Sequence, residues 1–263
     1  MGQAMEMTRH DVIYGRASLG GVKVDLPATL FLPNNGTSEA PPLFVWFHAG
    51  AFKFGSHDMK IARRLGRRLT KAGIAVASVG YRLRATEADL SDQVRAHLEA
   101  LQAERANLIR PGLCEARSLA ALEDGLMFLD WASAEGVRYG WGPALVAGGA
   151  SAGGLTAFNL AFSPPALGLP AARLNGVFAS SGGYNYPALV AGNDRMIALA
   201  QHDPGDSRVS VKGVRMLKRK MGDRMTLLER PGMLHGHLEL HPDEKPAATF
   251  ERLADFIHKA ARV

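Results

Sequence analysis

The sequence predicts an α/β protein with a mostly parallel sheet covered by helices on both faces. Three observations carry this. From Leu43 onward, short apolar runs of strand length alternate with amphipathic stretches of helix length. Runs such as Leu43–Phe47 and Ile74–Gly80 are apolar throughout, as strands covered on both sides require. Finally, Gly149-Ala150-Ser151-Ala152-Gly153 lies between the apolar run Ala144–Ala147 and the helical pattern Leu155–Ala161, so a G-x-S-x-G stretch sits on a strand-to-helix turn.

The elements follow in order. Asp11–Gly15, Val22–Leu26 and Ala28–Pro33 read as extended segments of an antiparallel edge, closed by a turn at Pro33–Gly36. After Leu43–Phe47 come the small residues of His48–Ser56, which allow backbone to approach a ligand. Amides of that loop are candidates for an oxyanion, with His48 bracing the loop rather than acting as a base. His57–Ala72 reads as a helix with Ile61, Leu65 and Leu69 inward and a basic outer face. A strand at Ile74–Gly80 runs into Tyr81-Arg82-Leu83, followed by a polar helix from Glu87 to about Leu108. Ser118–Ala134 forms another helix, in which Asp124 reads as a solvated or capping charge.

Beyond the serine turn, Asn175–Ser180 reads as a strand and Gly182–Asn193 as a loop. Tyr184 and Tyr186 in that loop are candidates either to touch substrate or to pack. Arg195–Ala200 is a strand ending in the turn that holds Asp203 and Asp206. Val211–Met221 is a helix and Met225–Arg230 the last strand. A turn with His235 and His237 follows, and a helix from about Asp243 to Ala261 closes the chain.

Composition narrows the function. The 263 residues carry a net charge of +6, a modest excess with no nucleic-acid-binding motif beside it. The lone cysteine, Cys114, rules out an internal disulfide and suits a reducing, cytoplasmic setting. No apolar run reaches membrane-spanning length, and Met1–Asp11 has no signal-peptide core. The scattered histidines lack metal-ligand spacing, and the glycine-rich turn is not the G-x-G-x-x-G of a dinucleotide fold, so neither metal nor organic cofactor is expected. A small-molecule substrate is expected, and a homo-oligomer is compatible with the sequence.

A serine needs a base, and the base needs an orienting group. Here Ser151 is followed by an aspartate at the 203–206 turn and a histidine at the 235–237 turn, each after a different strand. That chain order is the hydrolase order of serine, acid and histidine.

At this point the chain resembles the α/β-hydrolases, most of all the hormone-sensitive-lipase-like carboxylesterases. The resemblance rests on His48-Ala49-Gly50-Ala51-Phe52, Gly80-Tyr81-Arg82-Leu83, Gly149–Gly153 and Gly232-Met233-Leu234-His235-Gly236, with Ala120–Asp124 as a further match. It implies Ser151 as nucleophile, His235 as base and Asp206 as acid, with Asp203 the alternative acid and His237 a competitor of His235. It implies oxyanion donors at the amides of Gly50, Ala51 and Ala152, and Phe52 beside them is a candidate substrate contact. His202 and His241 are read as surface or local structural groups.

The sequence departs from the family in two places. The family's HGGG becomes His48-Ala49-Gly50-Ala51, which preserves the amides if Ala49 and Ala51 avoid positive φ and predicts a poor fit for bulky alcohols or tertiary esters. The N-terminal helical cap is missing, and an insertion at about 85–119 is expected to form a helical hairpin or flap beside the pocket of a single 1–263 domain. The implied activity is cleavage of a small or medium carboxylic ester through an acyl-enzyme. The same triad would serve an amidase or formamidase, or a thioester or lactone hydrolase. A non-catalytic ligand-binding protein on the same fold is the rival of another class.

Overall fold

A computed structural model describes residues 7–34, 39–103, 108–186, 190 and 195–263. Eight strands form one sheet: β1 (Thr8–Leu19), β2 (Val22–Leu32), β3 (Leu43–Phe47), β4 (Ala75–Val79), β5 (Leu145–Ala150), β6 (Gly176–Ser180), β7 (Ile197–His202) and β8 (Met225–Glu229). Their spatial order is β1-β2-β4-β3-β5-β6-β7-β8. The β1–β2 and β2–β4 pairs are antiparallel and every other pair is parallel. The antiparallel edge expected from the first segments is present, but as two long strands joined at Gly20-Gly21.

Strands β3, β4 and β5 are buried along their whole length, which explains their unbroken apolar sequence. On β3 the side chains alternate between two cores. Leu43, Val45 and Phe47 join the core under α4 (Ala116–Tyr139), α5 (Ala152–Phe162) and α6 (Lys212–Met221). Phe44 and Trp46 join the core under α1 (Lys60–Leu69) and α7 (Pro246–Ala261). The helices therefore cover both faces, as the alternating pattern predicts.

The expected helix from Glu87 to Leu108 is broken. A 3-10 turn at Glu87–Asp89 precedes α2 (Asp92–Ala96) and α3 (Leu98–Ala103), and 104–107 lie outside the described residues. Ser91 restarts the helix by accepting the Val94 amide at its N-cap, and His97 caps its end at φ −100°, ψ −1°, its amide donating to the Val94 and Arg95 carbonyls. The insertion does reach the loop after β6: Asn185 Oδ1 accepts the amides of Leu108 and Ile109 at 3.0 and 3.2 Å.

Asp124 corrects the reading of a solvated charge. It is fully buried and accepts the Arg82 backbone amide at 2.7 Å and Arg82 Nε at 2.8 Å. Arg82 also reaches Glu123 at 2.8 Å. A buried carboxylate is tolerable only with such partners. Periodicity could not show this, because Arg82 lies 42 positions away in the chain.

Candidate active site

The chain leaves β3 for β4 on one side and then returns to β5 on the other, so strand order reverses around β3. Crevices open at such a switch point beyond the carboxyl ends of the strands. Ser151 follows β5 there, and the His48–Ser56 loop follows β3.

Ser151 occupies φ 52°, ψ −117°, a conformation that L-residues avoid. Its amide is tied to the Ser180 carbonyl at 2.9 Å, and α5 begins at the next residue. The turn is sharp enough to bring Gly149 against Gly153: a Cβ on Gly149 would lie 2.2 Å from the Gly153 carbonyl carbon. A Cβ on Gly153 would lie 1.9 Å from the Phe47 carbonyl oxygen. The first turn of α5 thus rests on the end of β3. Gly153→Ala is expected to destabilise the protein by about 3 kcal/mol or more, since the clash is with backbone that cannot swing away; chemical denaturation measures it.

His235 Nε2 lies 2.8 Å from Ser151 Oγ, and its Nδ1 lies 2.6 Å from Asp206 Oδ2. The carboxylate only accepts, so Nδ1 carries the proton and Nε2 is free to accept from the serine hydroxyl. The Asp206 side chain is 2 % exposed and that of His235 17 %. Burial pushes the Asp206 carboxyl up, but hydrogen bonds from His235 and from the Val209 and Arg208 amides outweigh it and hold the group below its ordinary value. Those amides reach Asp206 Oδ1 at 3.1 and 2.8 Å.

Asp203 is engaged elsewhere. Its Oδ1 accepts the Gly205 amide at 2.7 Å and its Oδ2 the Gly232 amide at 2.8 Å. One carboxylate thereby joins the turn carrying Asp206 to the loop carrying His235. His237 is exposed, and its Nδ1 lies 3.9 Å from Glu239.

Residues outside the sequence reading complete the support. Ser181 Oγ accepts the Gly236 amide at 3.0 Å, Ser180 Oγ donates to the His237 carbonyl, and Gln201 Nε2 donates to the Leu238 carbonyl at 2.7 Å. The histidine loop is held by the ends of β6 and β7. Sequence carried no signal for these residues except that they end predicted strands. His202, read as surface or local structure, is fully buried, with Nε2 at 2.8 Å from the Val209 carbonyl.

On the other side of Ser151, His48 is buried, stacked on Tyr81 at 4.3 Å, with Nδ1 at 2.7 Å from the Ala49 carbonyl. Tyr81 donates to the His48 carbonyl at 2.8 Å. Gly50 has φ 130°, and a Cβ there would meet the Phe54 carbonyl oxygen at 1.9 Å. Ala51 stands at φ 53° and Phe52 at φ 58°. The condition that both loop alanines avoid positive φ is not met at Ala51, whose strained backbone nonetheless leaves its amide without a partner among the described residues. Among the described residues the amides of Gly50, Ala51 and Ala152 make no hydrogen bond. Ala152 is at the first position of α5, where helix geometry leaves amides unpaired.

The aromatic candidates for substrate contact are core groups instead. Phe52 and Tyr184 are 0 % exposed and Tyr186 1 %. Phe52 packs edge-on against Tyr81. The Tyr184 hydroxyl pairs with Ser163 Oγ at 3.2 Å, and that of Tyr186 donates to the Cys114 carbonyl at 2.6 Å. Their rings supply more burial in the core than they could at a wet cleft.

Comparison with known proteins bears on the fold. The structure is similar to esterase 2 of Thermogutta terrifontis, solved in a form phosphoramylated by tabun, with a TM-score of 0.68 at 16% identity over 95% of this chain and 94% of that one. It is similar to a truncated carbohydrate esterase from gut microbiota, with a TM-score of 0.64 at 16% identity over 97% of each chain. A fungal esterase of Rhizomucor miehei gives a TM-score of 0.64 at 16% identity, over 99% of this chain and 86% of that one. This is the α/β-hydrolase fold. No family model and no curated protein matches the sequence.

In the α/β-hydrolase fold, sheet order and the loops after β3, β5, β7 and β8 converge on one edge, where this chain gathers Ser151, Asp206 and His235. Among the described residues no group of three or more His, Cys, Asp or Glu could hold a metal ion, and no helix is long and apolar enough to cross a membrane.

Buried histidines give the protein a pH dependence. Burial holds His48 and His202 below the ordinary histidine value. Their stabilising contribution is complete above the unfolded value of about 6.5 and is lost as pH falls through the lower folded values. Asp89, lowered chiefly by the Thr86 amide, and Asp206 add a second loss below the unfolded value of about 3.9. The melting temperature is expected to fall between pH 7 and pH 5 and again, more steeply, below pH 4. Burial pushes Asp124 up to about 6, which offsets part of this loss, so a melting temperature that rises from pH 7 to pH 5 would contradict the histidine assignment.

Proposed function

We propose that the protein is a serine hydrolase that cleaves a small or medium carboxylic ester through an acyl-enzyme intermediate. The observation that carries the reading is the continuous hydrogen-bonded chain from Ser151 Oγ through His235 to Asp206. His235 Nε2 takes the hydroxyl proton as Oγ attacks the ester carbonyl, while Asp206 holds the imidazole and balances its charge. The amides of Gly50, Ala51 and Ala152 stabilise the oxyanion of the tetrahedral intermediate. The imidazolium then protonates the departing alkoxide. Water repeats the sequence on the acyl-enzyme, releasing the acid and restoring Ser151.

Among α/β-hydrolases, the hormone-sensitive-lipase-like carboxylesterases remain the pattern this site follows most nearly. The likeness to structures named as esterases supports an ester over an amide, thioester or lactone. The single cysteine, buried Cys114, supports work in the cytoplasm.

Labelling with a fluorophosphonate, followed by mass mapping, tests the reading. Rapid modification confined to Ser151 is expected. A folded sample that takes no label would sink it in favour of ligand binding without turnover.

A further inference from the structure

The carboxylates in the loops around Ser151 are largely engaged. Asp58 pairs with Arg9 and Arg63, Asp89 accepts the Gly20 and Thr86 amides, Asp203 accepts those of Gly205 and Gly232, and Asp206 faces His235. Glu87 is an exposed carboxylate left over. The cations of the same loops are not engaged in this way. Among the described residues Lys53, Arg84, Arg110 and Arg208 are exposed and have no carboxylate partner.

Two of these stand against the loops that carry the site, Arg110 beside the Asp206 turn and Arg84 against the His48–Ser56 loop. Arg110 Nη2 donates to the Ser207 carbonyl at 3.4 Å, one residue from Asp206. Its neighbour Ile109 covers Gly183, and Gly182 lies against Gly154 in the first turn of α5. Arg84 stands over the Phe54 ring at 5.2 Å and reaches the Lys53 carbonyl at 3.4 Å, on the loop that carries Gly50 and Ala51. The same rim exposes apolar surface: Phe54 is 61 % exposed, and Leu234, beside His235, 50 %. Guanidinium groups held only by carbonyls or a ring, with no carboxylate partner, beside exposed apolar side chains suit a ligand with an alkyl or aryl body and an anionic end.

We infer that the site takes esters that carry a carboxylate, with Arg110 as the residue that binds it, an assignment that rests on the serine-hydrolase reading above. The apolar body lies along Phe54 and Leu234. The reaction adds one water across the ester bond and releases a dicarboxylate and an alcohol. A guanidinium fixes a carboxylate through two parallel hydrogen bonds, so the charge selects the substrate and also places it.

Monoethyl adipate and ethyl hexanoate test this, since they differ only in a carboxylate against a methyl group at the chain end. Hydrolysis is followed by pH-stat with the full chain. In the wild type, kcat/KM for the adipate ester is expected to exceed that for the hexanoate ester by about tenfold or more, with the ratio shrinking as salt rises. Arg110→Gln is expected to bring the ratio near one, and Arg110→Lys to keep part of it. A merely structural role for Arg110 would lower both rates and leave the ratio intact, which would overturn the assignment. Turnover of the hexanoate ester with no preference for the adipate ester in the wild type overturns the anionic-substrate inference alone. If neither ester is hydrolysed and Ser151 takes no fluorophosphonate, the serine-hydrolase reading falls and this inference with it.

Discussion

Replacing Ser151 with alanine is expected to lower kcat/KM for p-nitrophenyl butyrate by roughly 10⁴- to 10⁶-fold, the range seen when a triad serine is removed from a protease. The residual rate would come from the unpaired amides and from binding. The folded state should survive, because Ser151 is half-buried and His235 stays tied to Asp206. The backbone at Ser151 adds a second expectation. At φ 52°, ψ −117° a side chain is strained, and glycine is not. Ser151→Gly should therefore be as inactive as Ser151→Ala yet more stable than the wild type by about 1–3 kcal/mol in chemical denaturation. A loss of stability on removing the side chain would mean that the elbow is not strained.

Asp206→Asn is expected to lower kcat by about 10⁴-fold, as the equivalent change does in a serine protease. An asparagine amide facing His235 Nδ1 would donate rather than accept. It would move the imidazole proton to Nε2, where it can no longer take a proton from Ser151. Asp203→Asn makes the contrast. Asparagine has one acceptor oxygen where Asp203 uses two, for the Gly205 and Gly232 amides, so one loop loses its anchor. Its cost should fall on stability, about 1–3 kcal/mol, with a rate loss far smaller than that of Asp206→Asn. Steady-state kinetics and denaturation of both variants decide the matter: a larger kinetic loss for Asp203→Asn would move the acid's role to Asp203.

The order of these two aspartates marks the limit of sequence reading. Both lie in one turn, three residues apart, and either could follow a β7 strand toward the histidine. The choice depends on which carboxylate the turn leaves facing His235. The Asp203-to-Gly205 hydrogen bond closes the turn and orients Asp206, and the Gly232 amide that completes it comes from a loop 29 residues away.

The sequence by itself determined the sheet and its covering. Unbroken apolar runs of strand length read as strands buried on both faces, and the amphipathic stretches between them as helices, because burial sets periodicity locally; the stretch after Glu87, broken in the structure, is the exception. It also determined that a serine lies at a strand-to-helix turn, since small residues two before and two after it permit the backbone to double back. Only the tertiary structure decided what the polar residues do. Asp124 reads as a surface charge until Arg82, 42 positions away, is seen to neutralise it inside the core. Tyr184 and Tyr186 read equally as substrate contacts or packing groups until Ser163 and the Cys114 carbonyl are seen to satisfy their hydroxyls. Whether Ala51 could replace a glycine hung on its φ, and the backbone stands at 53° there. Apolar burial is written into local periodicity, whereas a buried polar group depends on a single partner that the fold brings from a distant part of the chain.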